Sequence, residues 1–237
     1  PHQDVPERAT TRLVLQITVD QLRGDLPGRM ASRFGEGGFR WFLERGVHFT
    51  DAHYIHANTE TGPGHATLAT GGTPQTHGLV SNEWLVAGDT EATYCVEDPE
   101  HHMLGREPRA HEGSSPRLLL SSTTADEIAL ATGGRAKVFG VSVKDRAAIL
   151  MAGRSGKAWW FDKGSGHFVT SSYYADAPPD WIRAFNDGDT VAHYRDRSWE
   201  LLQPADSYTY PDDQPWERGY KHLGTTFPKP LGADGSD

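Results

Sequence analysis

Cysteine is nearly absent from this chain: Cys95 is the single one in 237 residues, so neither an internal disulfide nor a cysteine-rich zinc site can form. A lone thiol of this kind reads as a small buried apolar side chain and leaves the redox compartment open. No apolar run approaches the roughly 18 residues of a membrane span, so a membrane-crossing segment is not expected. Basic excess is missing as well. The formal charge of −9 argues against nonspecific nucleic-acid binding, and an anionic ligand has to be drawn by local positive charge or a bound metal ion. Internal repeats and long low-complexity tracts are also lacking. What is present is a globular composition, 36% hydrophobic and 23% charged, in a chain long enough to bury a core. The chain starts at Pro1 rather than methionine, which reads as processing or excision, a removed signal peptide being one explanation.

Residues 12–20, "RLVLQITVD", form an almost continuous apolar run closed by Asp20, the pattern of a strand buried on both faces of a parallel sheet. Asp20 would then stand at the carboxyl edge, where open α/β sheets bind ligands. A helix is expected in "GGFRWFLERG", from Phe39, Phe42 and Leu43 to a stop at Gly46, and another in "TGPGHATLAT", with Pro63 in its first turn and Gly71-Gly72 at its end. Further on, "SSTTADEIALATGG" predicts a capped helix, and "KVFGVSV" (137–143) a second buried strand that delivers Lys144, Asp145 and Arg146 to its far end. The alternation predicts a parallel α/β sheet. From Ala158, "AWWFD" and "HFVTS" around "KGSG" predict a hairpin, with Trp159 and Trp160 packing or gating a site, and "PPDWIRAFND" predicts a helix begun at Pro179. "QPADSYTYPDDQPWE" reads as a surface loop.

Thr61 stands beside the N-cap of the Gly-Pro-Gly helix. A threonine hydroxyl is a weak nucleophile without a base, a lowered pKa or a metal, while a helix N-terminus offers N–H groups and partial positive charge to a phosphate. On these residues alone an ordinary capping threonine is the simpler reading.

Four stretches in one order change that balance: "ITVDQLRGD", "TGPGHATLATGGTPQTHGLVSNEW", "GVSVKDRAAILMAG" and "AWWFD…GHFVTSSYY". Together, from Leu13 to about Asn186, they resemble the alkaline phosphatase superfamily, in its bacterial branch with a threonine nucleophile related to type I phosphodiesterase/nucleotide pyrophosphatases. The resemblance implies an α/β three-layer sandwich with a mainly parallel sheet and an inserted β-hairpin cap region. Residues 1–237 would be the amino-terminal portion of one such domain, 151–237 including the cap elements. It implies zinc as cofactor, two ions in the complete protein, with Asp20 and Thr61 as ligands of one of them. Thr61 would attack phosphorus to give a phosphothreonine intermediate, Asn82 would donate to a phosphoryl oxygen, and Lys144 with Arg146 would hold the phosphate and favour monoesters over diesters. His65 and His77 fall inside the matched stretches without an assigned ligand role. A periplasmic or secreted location follows from the resemblance and the processed start.

The remaining zinc ligands of the family, an Asp with a His four residues on, an Asp-His pair and a further His, are not found. An Asp-x-x-x-His spacing occurs at Asp98 and His102 in "EDPEHH", but it follows no strand and reads as a polar surface loop. The expectation is therefore that a carboxyl-terminal part of the same protein completes the sheet and the metal site. Partners are then phosphomonoester small molecules and that carboxyl-terminal part, with no nucleic acid and no membrane. Two alternatives stay open: a phosphodiesterase or nucleotide pyrophosphatase of the same superfamily, and a noncatalytic phosphate-binding fragment. Sulfatase chemistry is disfavoured by a threonine where an oxidisable Cys or Ser would be needed.

Overall fold

The structure is a computed structural model, which describes residues 11–104, 107, 109, 112–188, 190–220 and 223–231. The chain divides into two compact units between Ile55 and His56.

In the first unit, residues 11–19 are irregular, and Leu13, Val14, Leu15, Ile17 and Val19 stand 48–79% exposed. The expected strand is therefore not formed. A strand exists through the hydrogen-bond ladder to its neighbour, and no described residue supplies a ladder to this run. Asp20 is exposed and opens a turn in which Gln21 takes a φ of 62°. Two α-helices follow, α1 (Leu26–Arg29), with a proline in its first turn, and α2 (Gly38–Arg45), which ends as Gly46 N–H donates to the Phe42 carbonyl at 2.8 Å.

The second unit carries the core. Helix α3 (Thr61–Thr70) starts after Glu60 and stops at Gly71, whose left-handed φ of 70° is the conformation glycine adopts without steric penalty. Helix α4 (Pro74–His77) follows. Strands β1 (Glu83–Trp84) and β2 (Thr93–Tyr94) pair antiparallel, and β3 (Met103–Leu104) lies beyond them in the chain. Helix α5 (Thr124–Ala131) begins with a reciprocal cap in which Thr123 and Asp126 satisfy each other's backbone N–H. Then come β4 (Phe139–Ser142), α6 (Asp145–Ala152), the hairpin β5 (Lys157–Asp162) and β6 (His167–Ser171), and α7 (Asp180–Asp187), N-capped by Pro179.

The sheet runs β3-β6-β5-β4, and only β4 and β5 are parallel among the described strands. It is mixed rather than mainly parallel. The four-residue turn between β5 and β6 admits only an antiparallel return, and the run that would have added a parallel strand makes no ladder. The hairpin, expected as an inserted cap, is built into this sheet. Trp159 and Trp160 point to opposite faces and are 2% and 4% exposed, so they pack the structure. On the Trp160 face, Ala148 and Ala152 bring α6 so close to β4 that a Cβ on Gly140 would stand 2.3 Å from the Ala148 carbonyl oxygen. On the other face, Trp181 of α7 meets Phe139 and Trp159 edge to face, and Phe185, one turn later, meets Phe168. Ile149 and Leu150 are fully buried, each stabilising the fold by about 1.5–3 kcal/mol.

After residue 200 the chain is mostly exposed, with a 3₁₀ turn at Ala205–Ser207 and a short antiparallel pair, β7 (Ser198–Trp199) with β8 (Lys229–Pro230). The loop expected for "QPADSYTYPDDQPWE" is present.

The reading of Asp98 as part of a surface loop is corrected. Its carboxylate is buried and accepts from Ser115 Oγ at 2.5 Å, His101 Nδ1 at 2.8 Å and Glu100 N–H at 3.0 Å. The partner is His101, not His102, and the group ties residues 98–101 to Ser115. A second Asp-x-x-x-His spacing, Asp189 to His193, has its aspartate outside the described residues.

Candidate active site

Two helix starts in the second unit meet at one point. Lys144 leaves the carboxyl end of β4 as the N-cap of α6, Thr61 is the first residue of α3, and the two helices pack together. Lys144 Nζ stands 3.4 Å from Thr61 Oγ1, and Thr61 is 9% exposed. A fixed ammonium beside a largely buried hydroxyl stabilises negative charge on that oxygen, a requirement for a threonine nucleophile.

Asn82 is fastened to the same helix start. Its backbone N–H donates to Glu60 Oε2 at 2.8 Å, Ser81 Oγ donates to the same oxygen at 2.7 Å, and its side-chain Oδ1 accepts from Gly62 N–H at 2.7 Å. Occupied as an acceptor at Oδ1, the amide has its Nδ2 donor to offer an oxyanion. The Asn82 N–H and the Ser81 hydroxyl hold the Glu60 carboxyl below its usual range. Gly62 is closely surrounded: a Cβ there would lie 3.1 Å from Asn82 Oδ1, Cys95 Sγ and the Ser81 carbonyl oxygen. Cys95 is fully buried, and burial pushes its thiol up to about 12, so it packs as a neutral side chain as expected.

Of the helix-start N–H groups expected to face an anion, two are engaged within the protein. Gly62 N–H is taken by Asn82, Gly64 N–H by the Glu60 carbonyl at 2.9 Å, and Pro63 has none. Around this helix start stand the side chains of Lys144, next to Thr61, and of Asn82, next to Gly62.

Arg146 lies in the first turn of α6. Its Nη1 donates to Tyr94 Oη at 2.9 Å, while its Nε is buried and meets no hydrogen-bond partner among the described residues. Burial disfavours the guanidinium charge, but the Tyr94 hydroxyl and the Asp145 carboxylate outweigh it and the pKa is raised. Burial first, and Asp145 second, keep the Tyr94 hydroxyl protonated. Tyr94 and Glu60 were not singled out from the sequence, and Asp145 was placed at the strand end without a role. An acid just before a helix start is a signal that could have flagged Glu60; nothing local marks Tyr94.

His65 and His77 have structural partners. His65 Nδ1 donates to the Thr61 carbonyl at 2.9 Å, one turn back along α3. His77 is fully buried; its Nδ1 accepts from Leu79 N–H at 3.2 Å, which leaves the proton on Nε2 for Thr67 Oγ1 at 3.1 Å. Burial, and next His56, lowers its pKa.

No group of three or more His, Cys, Asp or Glu that could hold a metal ion occurs among the described residues. The described residues do not by themselves fit two zinc ions. No described helix is long and apolar enough to cross a membrane.

The family model for type I phosphodiesterase / nucleotide pyrophosphatase matches residues 14–218. Alkaline phosphatase PafA of Elizabethkingia meningoseptica is 37% identical over 209 residues, 87% of this chain and 38% of its own length. A protein named calcium-transporting ATPase, from Myroides odoratus, is 34% identical over 224 residues, 93% of this chain and 41% of its own. The chain thus spans about two fifths of the length of these relatives. The crystal structure of PafA superposes with a TM-score of 0.84 at 37% identity over 89% of this chain and 41% of that one. A PafA variant with a threonine, an asparagine, a lysine and an arginine replaced gives 0.83 at 35% identity, over 89% of this chain and 42% of that one. At these identities the α/β fold with its mixed sheet is shared, and the chain belongs to the type I phosphodiesterase / nucleotide pyrophosphatase family.

Proposed function

We infer that this chain carries the nucleophile and the phosphate-recognition side chains of a phosphomonoester hydrolase of the alkaline phosphatase kind. The observation that carries the reading is the approach of Lys144 Nζ to Thr61 Oγ1 at 3.4 Å, from segments 83 positions apart in the chain. The relatives support it. PafA is named an alkaline phosphatase, and the four replaced residue types of its variant have the mutual spacing of Thr61, Asn82, Lys144 and Arg146 here.

In the first step Thr61 Oγ1 bonds to phosphorus as the ester P–O bond breaks, and the leaving alcohol departs with a proton. In the second, water attacks phosphorus, the Thr61 Oγ1–P bond breaks, inorganic phosphate leaves and the threonine hydroxyl is restored. Lys144 stabilises the nucleophile's oxygen and one phosphoryl oxygen, while Asn82 Nδ2 and Arg146 Nε donate to others. A monoester dianion carries one more charge than a diester, so the two cations favour it. A zinc requirement belongs to the same proposal, with Asp20 and Thr61 among the ligands and further ones from protein outside these residues. So does a periplasmic or secreted location.

The family model's own name favours a second reading, diester or pyrophosphate hydrolysis. The test is turnover of p-nitrophenyl phosphate against bis-p-nitrophenyl phosphate by the full-length enzyme, alone and as Lys144→Ala/Arg146→Ala. Preference for the monoester that collapses in the double variant is expected. Preference for the diester from the start would overturn the reading.

A further inference from the structure

We propose that Tyr94 is a positioning residue that sets the direction of Arg146, and hence the enzyme's selectivity for the phosphomonoester dianion, through a hydroxyl shared between Arg146 and Asp145. The proposal rests on the phosphomonoesterase reading of Arg146.

The geometry is a closed relay. The Tyr94 hydroxyl accepts from Arg146 Nη1 at 2.9 Å and donates to Asp145 Oδ1 at 2.7 Å. Asp145 cannot swing away, because Oδ1 also accepts from Arg146 N–H at 2.7 Å and Oδ2 accepts from Gly113 N–H at 2.9 Å. Gly113 is held in turn by a bridge to Glu97, and it has no room for a side chain: a Cβ there would stand 2.2 Å from Val96 Cγ2 and 2.9 Å from Asp145 Oδ2. The Tyr94 ring adds a second restraint, since the guanidinium carbon lies 5.8 Å from its centroid. Tyr94 itself is 4% exposed and ends β2, the strand paired with the segment that begins beside Asn82.

A guanidinium has five donors in a rigid plane, so fixing one nitrogen fixes where the others point. With Nη1 held by Tyr94, the buried Nε is a donor without a protein partner among the described residues, which is what a site prepared for an oxyanion presents. Without the hydroxyl the arginine keeps its charge and loses its aim. Pre-orientation of this kind matters most where the ligand carries the extra negative charge.

The test is a double-mutant cycle in the full-length enzyme, Tyr94→Phe crossed with Arg146→Ala, reading kcat/KM for p-nitrophenyl phosphate and bis-p-nitrophenyl phosphate, with thermal unfolding as a check on folding. Tyr94→Phe keeps the ring and removes only the shared oxygen. The expected result is a loss of about tenfold for the monoester, the size of one hydrogen bond to a charged group, with the diester changed less than twofold. In the Arg146→Ala background the same substitution should have no further effect. Equal losses on both substrates, or an undiminished loss without Arg146, would make Tyr94 merely structural and overturn the proposal. If Arg146→Ala leaves the monoester preference unchanged, it is the parent reading of Arg146 that fails.

Discussion

Two apolar runs end in a charged residue in this chain, "RLVLQITVD" at Asp20 and "KVFGVSV" before Lys144. They have much the same texture and different outcomes. The second forms β4 because Lys157–Trp160 runs parallel beside it, from Phe139 opposite Lys157 to Ser142 opposite Trp160, and this ladder carries Lys144 to Thr61. The first has no ladder among the described residues and leaves its side chains exposed. Apolar sequence nominates a strand, and a hydrogen-bonding neighbour makes it one. Even β4 keeps Phe139 and Val141 more than half exposed, as the last strand of its sheet among the described residues.

The comparison can be broken at several strengths. The largest effect belongs to the two charged ends: in the full-length enzyme, Asp20→Ala should lose bound zinc and activity together. Lys144→Ala should keep its zinc and lose about 10²–10³ in kcat, the loss typical of one donor at developing negative charge. Metal analysis beside steady-state assays separates them. Next comes packing, tested on the 237-residue chain itself by denaturant unfolding. Ile149→Ala, in the buried helix against β4, should cost about 2–5 kcal/mol, whereas Ile17→Ala, on the exposed run, should stay within about 0.5 kcal/mol. A smaller effect is expected for Gly62→Ala, whose new Cβ crowds Asn82 Oδ1 and Cys95 Sγ at 3.1 Å. Turnover should fall severalfold with little change in unfolding.

The smallest is a pH effect confined to the second unit. Burial raises the pKa of Asp98 and Asp126, but hydrogen bonds outweigh it, from Ser115, Glu100 and His101 for Asp98 and from Thr123 and Ser155 for Asp126, so both are lowered. A carboxyl depressed in the folded state adds stability that is full above its unfolded value of about 3.9 and is lost as pH falls through the folded one. Unfolding free energy contributed by these groups should be flat from pH 7 to 5 and decline in acid. Asp98→Asn should flatten that decline.

Much of the candidate site was legible as a set of positions because its residues sit at element boundaries with strong local chemistry. Gly-Pro-Gly before "HATLAT" marks a helix start and places Thr61, and a charged pair after "FGVSV" marks a strand end and places Lys144 and Arg146. Sheet direction was not legible, because it depends on which strands find each other. Tyr94 was hidden for a related reason: its partner Arg146 lies 52 residues on, and only the folded chain brings the hydroxyl between Arg146 and Asp145. The buried Asp98 was misread because polar local composition resembles a loop until Ser115 closes over it.

The central claim is that Thr61 is the atom donor that takes the phosphoryl group. It is tested most directly by acid-quenching the full-length enzyme during turnover of p-nitrophenyl phosphate and locating covalent phosphate by peptide mass spectrometry. Phosphate on Thr61, absent in Thr61→Ala together with turnover, is the predicted result. Turnover that continues in Thr61→Ala, or phosphate carried on another residue, would contradict it.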